Sequence, residues 1–158
     1  MIPERIEREQ LIEEMKLSRY VSIIYRHSRI YMDHELADHD FGSGQHGYLF
    51  YLYDHPGATQ DQISREFEID KATTARALQK LEHGGFIVRE SDPNDRRVNH
   101  VFLTEKGVKI QQKLKSITGQ WSNILLESFD ENDIQQLHRY LHRLATNCKD
   151  FKHKKEGT

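Results

Sequence analysis

Residues 57–107 decide the fold of this chain and read GATQDQISREFEIDKATTARALQKLEHGGFIVRESDPNDRRVNHVFLTEKG. Near its start, Thr59 and Gln62 have the spacing of a capping box, in which a hydroxyl and an amide each satisfy a backbone group at the start of a helix. Asp70 is a good N-cap for a second helix over Lys71–His83, which a pair of glycines ends. The stretch therefore predicts two short helices joined by a tight turn.

The second half of the stretch predicts a β-hairpin. Residues 86–90 (FIVRE) and 98–103 (VNHVFL) are rich in β-branched and aromatic side chains, and the turn-forming residues 91–95 (SDPND) separate them. Thr104 is placed to cap another helix. Helix, turn, helix and hairpin in this order are typical of a winged helix-turn-helix, which places its second helix in the major groove of DNA.

Amphipathic helices flank this region on both sides. On the N-terminal side, residues 6–38 predict one long helix, because apolar residues recur at spacings of three and four from Leu17 to Tyr31 and no Pro or Gly intervenes. A glycine-rich loop and a short helix over residues 45–53 follow. After Thr104 the same spacing predicts a long helix and then a final helix with an apolar seam, which includes Leu137, Leu141 and Leu144.

These elements predict a mainly α fold with a small β-hairpin. We expect a winged helix-turn-helix lobe over residues 41–103. Residues 1–40 and 104–158 are expected to form a helical dimerisation region, because their apolar seams exceed what one small lobe can cover. Leu17 of the first helix and the three leucines of the last helix are the predicted dimer contacts.

The composition is that of a polar, folded, single-domain protein. The chain has 158 residues, of which 36% are apolar, and its mean hydropathy is −0.81. Its net charge of −2 means that any nucleic-acid binding must be local. No apolar run is long enough for a membrane helix, and the charged N-terminus lacks the apolar core of a signal peptide. We expect a cytoplasmic protein with no membrane partner and no cofactor.

The predicted second helix of the helix-turn-helix has a surface suited to DNA. If Thr74, Leu78 and Leu81 face the core, helical geometry turns a small, polar and basic face outward. A major-groove helix needs small residues for close approach, an Arg for a guanine edge, and Lys or Thr groups for phosphates. The outward residues are Ala72, Thr73, Arg76, Gln79 and Lys80.

The motifs along the hairpin identify a family. Residues 85–89 (GFIVR), 92–97 (DPNDRR) and 101–107 (VFLTEKG) follow one another at fixed spacing, after residues 57–60 (GATQ) at the start of the helix-turn-helix. In this order, residues 41–107 resemble the DNA-binding core of the MarR (multiple antibiotic resistance regulator) family of transcription factors. Ala75 departs from the family pattern, because many members have a hydroxyl residue there, so that side chain offers no polar contact to a base.

The resemblance implies a sequence-specific DNA-binding regulator, a repressor, that acts as a homodimer on a pseudo-palindromic operator. It implies that Arg97 enters the minor groove from the hairpin tip and that Asp95 orients its guanidinium. A planar Arg held by a carboxylate is well suited to a narrow, negative groove. The predicted DNA-binding residues are Thr59, Gln60, Lys71, Thr73, Arg76, Gln79, Lys80, Asp95, Arg96 and Arg97.

The resemblance also implies release from DNA by a small effector, which we expect to be an anionic or phenolic aromatic compound. Aromatic and basic side chains suited to such a ligand cluster on the first two predicted helices: Tyr20, Arg26, His27, Tyr31 and Tyr48. The alternative is that these side chains only pack and solvate the junction between the helices.

A metal- or redox-sensing regulator of the same fold is a further alternative. His34 and His39 lie five residues apart, which separates two imidazoles on a helix by about 140° and suits a shared zinc poorly. His138 and His142 have better spacing but no evident third ligand, so we predict no metal site. Cys148 continues the apolar seam of the last helix, and we expect it to serve in packing rather than as a redox switch.

Two other classes of function were weighed. The chain has no Gly-x-Ser-x-Gly frame and no glycine-rich phosphate loop after a strand, so we predict that it is not an enzyme. A winged-helix module for protein contacts is the remaining alternative. Such a module has no need for Arg76, Lys80, Arg96 and Arg97 to converge on one surface, which favours DNA as the partner.

Overall fold

The structure is a computed structural model that describes the backbone of residues 3–156 and the side chains of residues 8–151. Its mainly α fold with a small antiparallel sheet confirms the predicted class. The helices are α1 (Pro3–Glu14), α2 (Leu17–Glu35), α3 (His46–Asp54), α4 (Gln60–Glu66), α5 (Lys71–His83), α6 (Glu105–Lys109), α7 (Gln111–Leu125) and α8 (Glu131–Glu156). The strands are β1 (Ala58–Thr59), β2 (Ile87–Ser91) and β3 (Asn99–Leu103).

The prediction of one long N-terminal helix is wrong, because the helix is interrupted between Glu14 and Leu17. Lys16 adopts a left-handed backbone conformation with φ 47°, which an α-helix cannot contain. The Lys16 carbonyl then accepts the first hydrogen bonds of α2 from the amides of Arg19 and Tyr20. After Thr104, the predicted single helix is likewise divided at Ile110 into α6 and α7.

The helix-turn-helix follows its local signals closely. The backbone amide of Gln62 donates to Thr59 Oγ1 at 3.2 Å, and the backbone amide of Thr59 donates to Gln62 Oε1 at 2.8 Å. These two hydrogen bonds confirm the capping box. The Thr73 amide donates to Asp70 Oδ1 at 2.8 Å, which confirms the second N-cap. Helix α5 begins and ends at the predicted residues.

The sheet contains a strand that the sequence did not predict. The hairpin pairs β2 with β3, with Arg89 opposite Val101, and β1 pairs with the other edge of β3. Strand β1 has only two residues, Ala58 and Thr59, too few for any periodicity to show. Its pairing with β3 ties the start of α4 to the hairpin, which we call the wing (residues 87–103).

The chain divides into two compact units, one ending at Gly119 and one beginning at Gln120. The core of the first unit includes Met32 of α2, Leu36 directly after α2 and Leu114 of α7, all of them buried. Packing therefore extends beyond the predicted lobe boundary of 41–103. The division of roles between lobe and dimerisation region stays a prediction, and residues 1–2 and 157–158 of that region lie outside the described residues.

The second unit contains the end of α7 and helix α8, whose apolar seam is poorly covered. Leu141 is 55% exposed and Leu144 is 38% exposed. Cys148 is also exposed, so the expectation that it packs within the core is wrong for the single chain. None of the helices in the described part of the chain is long and apolar enough to span a membrane.

Candidate nucleic-acid interface

Helix α5 has the two faces that the sequence predicted. Thr74, Leu78 and Leu81 are fully buried against the core, with 0% of their surface exposed. Thr73 is partly exposed, and the other residues predicted to point outward are exposed: Ala72, Arg76, Gln79 and Lys80. The structure therefore presents one small, polar and basic helix face to solvent.

Two of the basic side chains at this face have partners within the chain. Arg76 Nη2 donates to Thr73 Oγ1 at 2.8 Å, which holds the guanidinium along the outward face of α5. Lys71 Nζ lies 2.9 Å from Asp61 Oδ2, an exposed ion pair that joins α4 to α5. Lys71 must therefore exchange this partner if it is to contact a phosphate.

The tip of the wing (residues 92–97) is a turn organised by aspartates. Asp92 Oδ1 accepts hydrogen bonds from the amides of Asn94 at 2.8 Å and Asp95 at 3.1 Å. Asp95 Oδ1 accepts from the backbone amide of Arg97 at 3.0 Å. Asp95 is predicted to orient the guanidinium of Arg97, but the bond shown in the structure is to the Arg97 backbone. Both Arg96 and Arg97 are exposed.

A hollow of about 290 Å³ lies between the wing and the start of α4. It brings together three of the predicted DNA-binding residues, Thr59, Gln60 and Arg97. It also contains Arg65 and Asn99, which are not among the predicted DNA-binding residues. The place of Arg65 beside the wing depends on the pairing of β1 with β3, which no local sequence pattern predicts.

An ion pair joins the wing to helix α5. Arg89 of β2 donates from Nε to Glu82 Oε2 of α5 at 3.0 Å and makes a second bond to the same oxygen through Nη2. Both side chains are partly shielded from solvent, with 26% and 31% exposed. The hydrogen bond from Arg89 holds the pKa of Glu82 below its usual range.

A second link runs through His100, which is not among the predicted site residues. His100 Nδ1 lies 2.8 Å from the Gly57 carbonyl oxygen, and His100 Nε2 lies 3.0 Å from Asp92 Oδ2. The hydrogen bond to Asp92 raises the pKa of His100, and the same contact lowers the pKa of Asp92. No local pattern signals this contact, because Gly57 and His100 are 43 residues apart.

The predicted effector residues fall into two environments. Tyr20, Arg26 and His27 are exposed on α2, and Tyr31 is partly buried. In contrast, Tyr48 is 4% exposed and its ring packs against Phe67 with centroids 4.7 Å apart. Burial raises the pKa of Tyr48. Tyr48 is therefore a core residue of this chain, and only the α2 side chains are open to a ligand.

The histidines form no cluster with metal-binding geometry among the described residues, taking His, Cys, Asp and Glu together. His34 Nδ1 instead lies 3.1 Å from Glu35 Oε1. Burial lowers the pKa values of His39 and His46, which favours their neutral forms.

Comparison with known proteins gives the family. Residues 39–98 match the model of the MarR family. An HTH-type transcriptional regulator of Bacillus subtilis, YybA, is 32% identical over 78% of this chain and 83% of its own length. A MarR transcriptional regulator from Methanosarcina mazei has 37% identity and a TM-score of 0.81, covering 85% of this chain and 97% of that chain.

One of the similar solved structures contains DNA. A MarR-family regulator of Listeria monocytogenes, solved in complex with a 26-mer DNA, is 25% identical with a TM-score of 0.77. The match covers 84% of this chain and 88% of that chain. With the helix-turn-helix, the wing and these relatives in view, the chain belongs to the MarR family of DNA-binding transcriptional regulators.

Proposed function

We propose that this regulator is a homodimeric repressor that binds a pseudo-palindromic operator, with α5 of each copy in the major groove and each wing in the adjacent minor groove. The observation that carries the proposal is the two-faced structure of α5. The inner face of α5 packs against the core through Thr74, Leu78 and Leu81, and this packing fixes the orientation of the helix. Its outer face offers the small and basic side chains that groove recognition needs.

Separate roles follow for the basic side chains. Arg76, held by Thr73, is positioned to read a base edge through its planar guanidinium. Lys80 is exposed on the same face and supplies a phosphate contact. Arg97, at the tip of a turn held by backbone bonds to Asp92 and Asp95, enters the minor groove.

The dimer is supported by apolar surface that a single copy leaves uncovered. In α1 and α2 the exposed apolar residues are Leu11, Ile12, Leu17, Tyr20, Val21, Ile24, Tyr25 and Ile30. In the second unit they are Ile124, Leu125, Phe129, Ile134, Tyr140, Leu141, Leu144 and Phe151. Apolar surface on this scale marks an interaction site. A second copy of the chain covers it in our proposal, through both sets of helices.

The effector part of the proposal rests on α2. The exposed Tyr20, Arg26 and His27 combine aromatic and cationic chemistry suited to an anionic or phenolic aromatic ligand. A ligand that favours one spacing of the two lobes tenfold over the DNA-bound spacing opposes binding by about 1.4 kcal/mol. We place this function in the cytoplasm, where such a regulator meets its operator.

A pool of random duplexes tests the proposal. Rounds of selection on the full-length protein should enrich a pseudo-palindrome, and affinity for it should fall steeply with salt because bound phosphates release counterions. Aromatic acids and phenols at millimolar concentration should weaken that binding, whereas zinc and mild oxidant serve as controls for the sensing alternatives. A pool that yields no enriched duplex, or binding that ignores salt, would refute the proposal.

A further inference from the structure

The bridge made by His100 requires a particular protonation state. Both ring nitrogens face oxygen acceptors at hydrogen-bonding distance, the Gly57 carbonyl at 2.8 Å and the Asp92 carboxylate at 3.0 Å. A neutral imidazole carries one N–H and so can donate to only one of them, whereas the imidazolium donates to both. The geometry of this site therefore fits the cationic form of His100.

The two partners of His100 belong to different parts of the DNA-binding surface. Asp92 organises the wing tip, because its other carboxylate oxygen accepts the amides of Asn94 and Asp95. Gly57 lies just before β1 and α4, and its own amide donates to the Val101 carbonyl of β3 at 2.9 Å. His100 thus joins the turn that carries Arg97 to the segment from which the helix-turn-helix begins.

The Gly57 end of the bridge depends on a glycine. Gly57 has φ +78°, a left-handed conformation that side chains disfavour. A Cβ at this position would approach the Phe102 ring to 2.9 Å. A side chain at residue 57 would therefore disturb the segment whose carbonyl accepts from His100.

The surrounding charges favour the imidazolium. Glu90 of β2 lies opposite His100 in the sheet and Asp92 faces it from the turn, while uncharged Thr59 lies opposite it in β1. Both carboxylates raise the pKa of His100, with the hydrogen bond to Asp92 as the largest cause. Charged and titratable groups from other elements line the hollows beside Gly57 and Asn99: Asp54, His55, Asp61, Arg65 and Arg97.

We propose that His100 is a positioning residue for DNA binding, which as an imidazolium ties the wing tip to the segment before α4 and thereby sets the place of Arg97. Loss of the proton leaves one N–H for two acceptors, so one tie is released. A wing that must be ordered during binding costs affinity relative to one already in place. This inference rests on the proposed operator binding.

The expected pH dependence has a definite sign. Because the pKa of His100 is raised above its ordinary value of 6.5, the bridge is complete at pH values below 6.5 and is lost as pH rises through the raised pKa. Operator affinity should therefore be high in mildly acidic solution and should fall across the neutral to alkaline range. If bound DNA raises the pKa of His100 by one further pH unit, the protonated protein binds the operator about tenfold more tightly than the deprotonated protein.

Two substitutions at residue 100 imitate the cationic and the neutral form of the His100 side chain. His100→Arg keeps a cation with several donors at every pH, and His100→Gln keeps one donating amide without a charge. With the selected duplex, from about pH 5.5 to about pH 8.5, the parent should lose affinity threefold to tenfold. The affinity of the Arg variant should stay near that of the parent at acidic pH, and the affinity of the Gln variant should stay near that of the parent at alkaline pH. Asp92→Asn should move the parent's transition to lower pH.

Controls distinguish positioning from added charge. His34→Gln removes another imidazole, which lies on α2 with 84% of its side chain exposed, and should leave the pH profile unchanged. Arg97→Ala should abolish most of the pH dependence, because the position of the wing tip then no longer matters. A His100→Gln variant with the parent's profile, or an Arg97→Ala variant that retains it, would overturn the inference.

A measurement without DNA keeps this inference distinct from the proposed function. Ring nitrogen shifts of His100 in the free full-length protein should show both nitrogens protonated at pH 6.5, with a pKa above the ordinary histidine value of 6.5. A value at or below the ordinary one overturns the bridge whatever the protein binds. A raised value in a protein that binds no duplex at any pH overturns the proposed function and the link of His100 to DNA.

Discussion

The DNA-binding lobe and the C-terminal helix of this protein differ in how their apolar residues are covered. In the lobe, Ile63 of α4 and Leu78 of α5 are fully buried within one chain. On α8, Leu141 and Leu144 repeat at helical spacing but remain largely exposed. Two equally regular apolar seams are thus covered to different extents within one chain, which is the difference we expect if a second copy covers α8 in the proposed dimer.

The largest expected effect comes from breaking the α8 side of this comparison. Leu141→Asp should cost several kcal/mol, because the dimer would bury a carboxylate without a partner. We expect monomer or unfolded chain in sedimentation and loss of operator binding. Thr146→Asp is the matched control, since residue 146 lies on the opposite face of the same helix. A stable, DNA-binding dimer of the Leu141 variant would show that the interface lies elsewhere.

The next largest effect is expected from Gly107→Ala, which should destabilise the packing of the lobe without changing the α8 seam. A Cβ on Gly107 would lie 2.1 Å from the Phe86 carbonyl oxygen, so Gly107→Ala forces backbone to move. We expect a loss of about 3 kcal/mol in the free energy of unfolding, as for severe overpacking. Urea denaturation followed by circular dichroism measures this loss.

Gly119→Ala is the control for that substitution. A Cβ on Gly119 meets no atom within 4 Å, and Ala is the better helix former by about 0.5–1 kcal/mol. The control should therefore be slightly stabilised. Equal stabilities for the two variants would show that the contact between α6 and the segment before β2 is looser than the structure indicates.

A third pair of substitutions distinguishes base contacts from phosphate contacts on the outward face of α5. Arg76→Ala should cost about 1–3 kcal/mol of binding and relax base preference in each half-site, because a bidentate base contact is lost. Lys80→Ala should weaken binding to all sequences similarly and reduce its salt dependence by about one counterion. Selection and titration of both variants on the same duplex pool compare them. Unchanged base preference in the Arg76 variant would remove it from base recognition.

The smallest effect concerns the ion pair between α5 and the wing. Arg89→Ala should cost about 1 kcal/mol at neutral pH, because Glu82 loses its partner while the pair is only partly shielded from water. The depressed pKa of Glu82 adds stability above its ordinary value of 4.5, and this is lost as pH falls through the lower, folded-state pKa. The stability difference between parent and variant should therefore shrink in acid. A difference that is constant with pH would contradict this role.

Local signals explain what could be predicted from the sequence. The caps at Thr59 and Asp70 depend on residues three positions apart, so the bounds of α5 and the start of α4 were readable. The inward and outward faces of α5 follow from helical geometry alone. The wing strands were predicted to within one residue because β-prone runs and a turn sequence adjoin.

The missed features depend on contacts between distant residues or on unusual backbone geometry. Strand β1 exists through its pairing with β3, and His100 acquires its role from Gly57 and Asp92. Lys16 breaks the N-terminal helix without a Gly or Pro to mark the place. The burial of Tyr48 also depends on tertiary packing, here against Phe67.

The spacing of the half-sites is the most informative measurement, because operator binding by the proposed dimer requires both a complete lobe and a second copy of the chain. A dimer that presents two α5 helices should bind half-sites about one helical turn, roughly 34–36 Å, apart. Insertion of about half a turn between the half-sites of the selected operator places them on opposite faces of the duplex. The account predicts that affinity then falls to that of random DNA, and that a full-turn insertion is also poorly bound by a rigid dimer. Undiminished affinity for the half-turn insertion would contradict it.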